Sequence, residues 1–220
     1  MKKLPILLCV FLLSACAPSE VPYDKLSARN GITYEINSQI PFTGVATVYY
    51  ENGQLQHKGT FKNGEVNGLA EAYYENGQLK VRATAKNGEA HGLLETYYEN
   101  GQLEQKVKYK DGEKGGLYKW YYENGQLRTK ATYKDGKRNG LYKWYYENGQ
   151  LQYKTIWKDG EKNGLYEKYY ENGQLDSKTT YKDDELNGLY EFYRPDGQEK
   201  FSPKCYQNGE EADISKCKSL

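Results

Sequence analysis

The heptapeptide Tyr-Tyr-Glu-Asn-Gly-Gln-Leu occurs six times in this chain. The copies start 24 residues apart, at Tyr49, Tyr73, Tyr97, Tyr121, Tyr145 and Tyr169. A seventh, worn copy follows in register, with Tyr193 and Gly197 at the expected places. A strict period of this length means an array of one small unit, each copy touching its neighbours, not a compact enzyme domain. It restricts the chain to a repeat architecture and directs the search for function toward binding.

One period shows how a unit folds. Residues 117–122 are rich in aromatic side chains and suit a strand, and residues 127–133 alternate as a return strand does. Asn124-Gly125 between them predicts a two-residue type I′ turn, since both residues tolerate positive φ. Residues 134–140 read as a polar loop into the next unit. In that register Trp120 faces Thr129 and Tyr122 faces Leu127. One face carries Tyr118, Trp120, Tyr122, Leu127, Thr129, Ala131 and Tyr133. The other carries Leu117, Lys119, Tyr121, Arg128, Lys130, Thr132 and Lys134. The same register sets Glu71 opposite Arg82, Glu95 opposite Lys106 and Glu167 opposite Lys178, all favourable pairs. It also sets Lys119 opposite Lys130 and Lys143 opposite Lys154, both mildly unfavourable.

A lone hairpin cannot bury its apolar face, so the units must lie side by side. The expected fold is all-β: an elongated, single-layer antiparallel array of stacked hairpins, a meander or open solenoid spanning residues 41–200. Leu, Ile and Val are sparse, whereas the chain has 24 Tyr. Tyrosine is therefore expected to supply the burial while keeping its hydroxyl at a wet edge.

The ends carry different information. Residues 1–15 begin with Lys2 and Lys3 and continue as a short apolar run, which is too short for a membrane span and reads as a secretion signal. The run closes in Leu13-Ser14-Ala15-Cys16, which resembles the bacterial lipobox. That resemblance implies cleavage before Cys16 and fatty-acyl chains, palmitate among them, on the new terminus, enough for stable anchoring. Ala17, where an Asp would retain the protein in the inner membrane, implies the outer membrane if the cell has two. An ordinary signal peptide with a chance cysteine is the plainer alternative. Residues 16–40 read as a tether, with Ile32, Tyr34 and Ile36 alternating as a capping strand would. Residues 201–220 read as a tail holding Cys205 and Cys217. These pair in an oxidising compartment and stay free thiols in a reducing one.

The repeat residues resemble a known family. Tyr-Tyr-Glu-Asn-Gly-Gln-Leu, then Tyr-Lys-Asp-Gly and Asn-Gly-Leu-Tyr, look like the bacterial variant of the MORN repeat, in proteins grouped as YwqK-type antitoxin repeat proteins. His91-Gly92 matches the His-Gly step of the parent repeat. The resemblance implies a hairpin array that binds a protein partner, with a toxin as one such partner in an antitoxin or immunity role. A lipoprotein leaves the cytoplasm, so only an envelope form of that role fits. Choline- and glycan-binding hairpin repeats also use Tyr-Tyr before a turn, with more Trp per unit and a shorter period.

Function classes separate on this basis. Lys and Arg number 31 against 30 Asp and Glu, which lacks the basic excess of a nucleic-acid binder. His57 and His91 are the only histidines and lie in different units. His57 reads as a filler of the aromatic face and His91 as a loop residue, so no metal site, cofactor or catalytic group is expected. The outward places of the return strands are mostly Lys or Arg, from Lys58 to Lys182. They form either a solvated face or a surface for an anionic partner. The candidate contact surface is the aromatic cluster of Tyr118, Trp120, Tyr122, Tyr142, Trp144, Tyr146, Tyr153 and Trp157, unless these rings only pack between hairpins. Three functions stay in view: a membrane-anchored protein binder, a glycan-, choline- or lipid-head-group-binding envelope module, and a purely structural envelope protein.

Overall fold

The computed structural model describes residues 19–217. Cys16 and the rest of the signal region lie outside the described residues. Within them one 18-stranded sheet runs almost entirely as an antiparallel meander, and it does not close into a barrel. A small two-stranded sheet, Leu26–Arg29 with Ile32–Glu35, sits at the N-terminal end. There is no α-helix among the described residues, only two short 3-10 turns.

Two kinds of turn alternate along the meander, and their placement differs from the sequence expectation. At Asn124-Gly125 the loop has three residues: the Gly125 N–H donates to the Tyr122 carbonyl at 2.9 Å and the Tyr122 N–H to the Gln126 carbonyl at 2.8 Å. Only the glycine takes positive φ, +82°. This is a type I turn closed by a glycine bulge. Tyr121, not Tyr122, therefore faces Leu127. A second irregularity then makes Arg128 an extra residue, and Trp120 faces Thr129 after all. The tight type I′ turn sits at the opposite end of the unit, where a loop was expected. Asp111 and Gly112 have φ of 49° and 81°, and Lys110 faces Glu113 directly across them.

The repeated heptapeptide is the chemistry that joins one unit to the next. The Tyr122 hydroxyl donates to the Tyr145 carbonyl at 2.8 Å, and the same bond recurs from Tyr50 to Tyr170. Asn124 accepts the Gln126 N–H at 2.9 Å and donates through Nδ2 to the Glu147 carbonyl at 3.0 Å. The Gln126 side chain lies where a Cβ on Gly149 would come to 3.0 Å of its Oε1. Tyr, Asn, Gly and Gln are thus each fixed by a neighbour 23 or so residues on, which explains their identity in every copy. Each such bond contributes about 0.5–1.5 kcal/mol.

The buried layer is thin and made of small residues. Val107, Ala131, Thr155 and Thr179 occupy one place in successive units and are at most 2% exposed. Ala131 faces Tyr118, Thr155 faces Tyr142 and Thr179 faces Tyr166. Small side chains on the return strand let the tyrosines of the outgoing strand close over them. Among the described residues the aliphatic–aromatic core is N-terminal, where Phe42, Ala46 and Phe61 pack with Val21, Leu26 and Val66.

Both edges of the sheet are covered by short strands, which blunts edge-to-edge pairing. The stretch expected to be a tether is inside the fold from Glu20 onward: Glu20–Pro22 pairs in parallel with Gly44–Tyr49. The expected tail also belongs to the sheet. Glu199–Gln207 completes the seventh hairpin, and Glu210–Ala212 forms the far edge. A disulfide joins Cys205 to Cys217, whose separation is 12 residues. Closing a loop of this size stabilises by about 3 kcal/mol in the chain-entropy picture.

Candidate functional site: an aromatic–arginine face

The fourth and fifth units place their largest side chains on one face. Trp120 and Trp144 meet edge to face at 6.1 Å. Tyr153 stacks on Trp144 at 6.1 Å and on Tyr142 at 5.7 Å, and Tyr142 touches Trp157 at 6.3 Å. Tyr118 pairs with Tyr133 at 5.8 Å. Tyr142 is buried and forms the floor, whereas the tryptophans are half-buried. Tyr146 does not join the cluster, because its hydroxyl is held by the Tyr169 carbonyl in the turn ladder. Tyr122 is held in the same way but keeps its ring beside the cluster. Burial, helped by neighbouring phenols, pushes the Tyr118 hydroxyl up to about 12, and the Tyr153 hydroxyl is raised further by the same cause. Both are neutral donors at ordinary pH.

Arg128 is the residue that the sequence register misplaced. Expected on the basic face, it lies on the aromatic one, with its guanidinium 3.8 Å from the Trp120 ring centre and 5.0 Å from that of Trp144. The bulge is the cause. An extra residue inverts the alternation locally and turns the side chain to the other face. The same place in other units follows the same rule: Asp176 reaches Lys168 at 2.6 Å and Glu104 reaches Thr96 at 3.0 Å. Arg138 is a second cation that the sequence did not single out, 4.7 Å from the Trp157 ring and 5.1 Å from Tyr142. Arg128 Nε and Trp157 Nε1 are buried donors without an acceptor among the described residues. Such donors are rare in a finished fold.

The histidines stand apart from this cluster. His57 faces Val48 and Ala72, at the place of Thr129 rather than of Trp120. His91 lies in the strand Glu89–Tyr97, not in a loop, and its Nδ1 is 3.2 Å from Asp111 Oδ1. No group of three His, Cys, Asp or Glu side chains with metal-holding geometry occurs among the described residues.

The opposite face is less uniformly basic than its sequence suggests. Glu71 binds Arg82 at 3.0 Å and Glu95 binds Lys106 at 2.8 Å. Lys106 holds the Glu95 carboxyl below its ordinary value through a hydrogen bond. Glu167 faces Lys178 in register but takes its ion pair from Lys154, while Lys178 pairs with Glu191 at 2.8 Å.

The sequence pattern of the MORN repeat variant matches six stretches, residues 42–63, 66–87, 90–111, 114–135, 138–159 and 162–183, which together cover more than half of the chain. The chain belongs to the MORN repeat variant family. Each MORN repeat here runs from one outgoing strand through the glycine-bulge turn to the Asn or Asp of the next type I′ turn. The aromatic–arginine face is built by the fourth and fifth MORN repeats. No curated protein matches the chain. Among solved structures, it is similar to one described as "Crystal Structure of TarM", with 10% identity over 44% of this chain and a TM-score of 0.28. It spans only 20% of that chain, and a likeness this weak says nothing about fold or activity.

Proposed function

We propose that this MORN repeat protein is a non-enzymatic, membrane-anchored binder that presents the aromatic–arginine face of its central units to a protein partner. The observation that carries the reading is the Arg128 guanidinium lying over the rings of both Trp120 and Trp144, with an Nε donor that has no acceptor among the described residues. Trp, Tyr and Arg are the side chains that dominate binding hot spots. A carboxylate or carbonyl from the partner would bind the exposed part of the Arg128 guanidinium, which is only partly buried.

The anchor is the acylated Cys16 of the Leu13-Ser14-Ala15-Cys16 sequence, in the outer membrane where two membranes exist. The sheet begins at Glu20, so it would stand directly on that surface. Among the described residues no helix is long and apolar enough to cross a membrane. Within the YwqK-type grouping, the role that fits such a location is immunity: capture of an incoming toxin at the envelope. A choline cage is disfavoured because the Arg128 guanidinium already fills the cation position over both tryptophans.

Two measurements test this reading. Metabolic labelling with an alkyne palmitate should mark the wild-type chain and not Cys16→Ser. Labelling of both, or of neither, contradicts the anchor. Affinity capture from envelope and culture supernatant should yield one stoichiometric protein that Arg128→Ala releases. Retention on cell-wall glycan with no protein partner would replace this reading with the glycan-binding one.

A further inference from the structure

The face opposite the aromatic stack carries a row of like charges at its centre. Lys106, Lys119, Lys130, Lys143 and Lys154 face one another on successive strands. The outer two are neutralised by Glu95 and Glu167. The middle three have no ion pair among the described residues. In the flanking units the same row alternates in sign, Lys58 facing Glu71 and Arg82 facing Glu95. A second row, at the type I′ turns, repeats the pattern: Lys110 faces Glu113 and Lys158 faces Glu161, but at the centre Lys134 faces Lys137. Like charges directly opposite one another destabilise a sheet. Two rows break the alternating rule in the same units, so the free fold sustains a local cost there.

The lysines do not stand alone. Leu117 and Leu141, two residues before Lys119 and Lys143 on the same face, are 43% and 47% exposed. With Thr132 they line a shallow groove whose other wall is Lys130 and Lys143. A cationic row beside an apolar row, on a sheet with no second layer over it among the described residues, is half of an amphipathic contact.

We infer that this face is a docking track for an acidic amphipathic helix of a protein partner, lying along the long axis of the sheet. Charge complementarity selects an acidic occupant. The paired leucine row selects an amphipathic polypeptide over a uniformly charged polymer. The spacings agree: neighbouring strands are about 4.8 Å apart and a helix repeats every 5.4 Å or so. A glutamate stripe at helical spacing drifts from the three lysines by about 1 Å in total, well within the reach of the lysine stems. Sheet twist of roughly 20° per strand turns the row by about 40° over the same distance, which those stems also absorb. This surface is a different face from the Arg128 stack, and its recognition is independent of that stack.

The test uses the full chain in detergent and a synthetic helical peptide of about 22 residues, long enough to hold a helix, with one glutamate stripe beside one leucine stripe. Fluorescence anisotropy at low salt should give micromolar binding. Lys119→Gln/Lys130→Gln/Lys143→Gln should weaken it tenfold or more, Leu117→Ser/Leu141→Ser several-fold, and Lys178→Gln, outside the track, not at all. The triple Gln variant should melt no lower than wild type, because it removes repulsion, so lost binding reads the surface and not unfolding. Absent binding, or binding indifferent to the three lysines, overturns the proposal. So does equal competition by polyphosphate or phosphatidylglycerol vesicles without leucine dependence, which would make the row a general anion track. The two proposals fail separately, since Arg128→Ala reads only the capture experiment.

Discussion

In the second unit, Ala72 stands where the fourth unit has Trp120, with Lys80 in place of Arg128, and Glu71 meets Arg82 where Lys119 meets Lys130. The turns of the two units are the same, down to the Asn side chain that joins each to its successor. The comparison separates two demands on one repeat. Positions that make inter-unit bonds are identical because the array cannot propagate without them. Strand positions are free to differ, and in the central units they take large aromatics on one face and a row of facing lysines on the other. The flanking units follow the rules of a stable sheet; the central units depart from them, which is where binding sites commonly lie.

The largest predicted contrast is on the aromatic face. Trp144→Ala should cost about 3 kcal/mol, the low end for tryptophan truncation because the ring is only half-buried. It should lower the melting temperature by several degrees. A melt unchanged by this variant would show that the tryptophans are ornaments on the sheet and not part of its packing.

Alkali should also act on the centre. The Tyr118 phenol is raised in the folded state, so the stability it contributes is complete below pH 10 or so, its unfolded value. That contribution is lost as pH rises from there through about 12. Circular dichroism against pH, followed beside phenolate absorbance, should show unfolding within that window. Titration of all tyrosines near 10 with no structural change would contradict the burial described for them.

Turn variants sharpen the other side of the comparison. Asn124→Ala and Asn76→Ala each remove the same pair of side-chain bonds and should each cost about 1 kcal/mol. Unequal losses in the melt would mean that the turns are not equivalent after all. The smallest effects should differ in sign. Glu95→Gln should destabilise and Lys130→Glu should stabilise, each by about 0.5 kcal/mol, and added salt should shrink both.

Much of this was legible in the sequence. The exact period dictated a hairpin array, and the pairings of Glu71 with Arg82 and Lys119 with Lys130 followed from alternation. What was not legible turns on a single extra residue. Asn-Gly and Asp-Gly serve two turn types here, and the sequence signal for a type I′ turn fits both. The clue lay in the neighbours: Lys110 and Glu113 flank Asp111-Gly112 as an opposed pair, whereas Asn124 is committed to capping and to the next unit. Choosing the wrong site left out the bulge, and with it the face of Arg128. Arg138 was hidden for a related reason, since it belongs to a two-residue strand, Lys137–Arg138, in what looked like a polar loop. The edge strands at Glu20–Pro22 and Glu210–Ala212 lie outside the repeat, so no periodicity announced them.

The most direct test of the central claim is site-specific photocrosslinking in intact cells. A photoreactive phenylalanine analogue would replace Trp144 in one strain and Thr96, the same strand position two units earlier, in another. A discrete protein adduct is expected from position 144 and none from position 96. Equal adducts from both positions, or an adduct from position 96 alone, would contradict a binding site built by the central units.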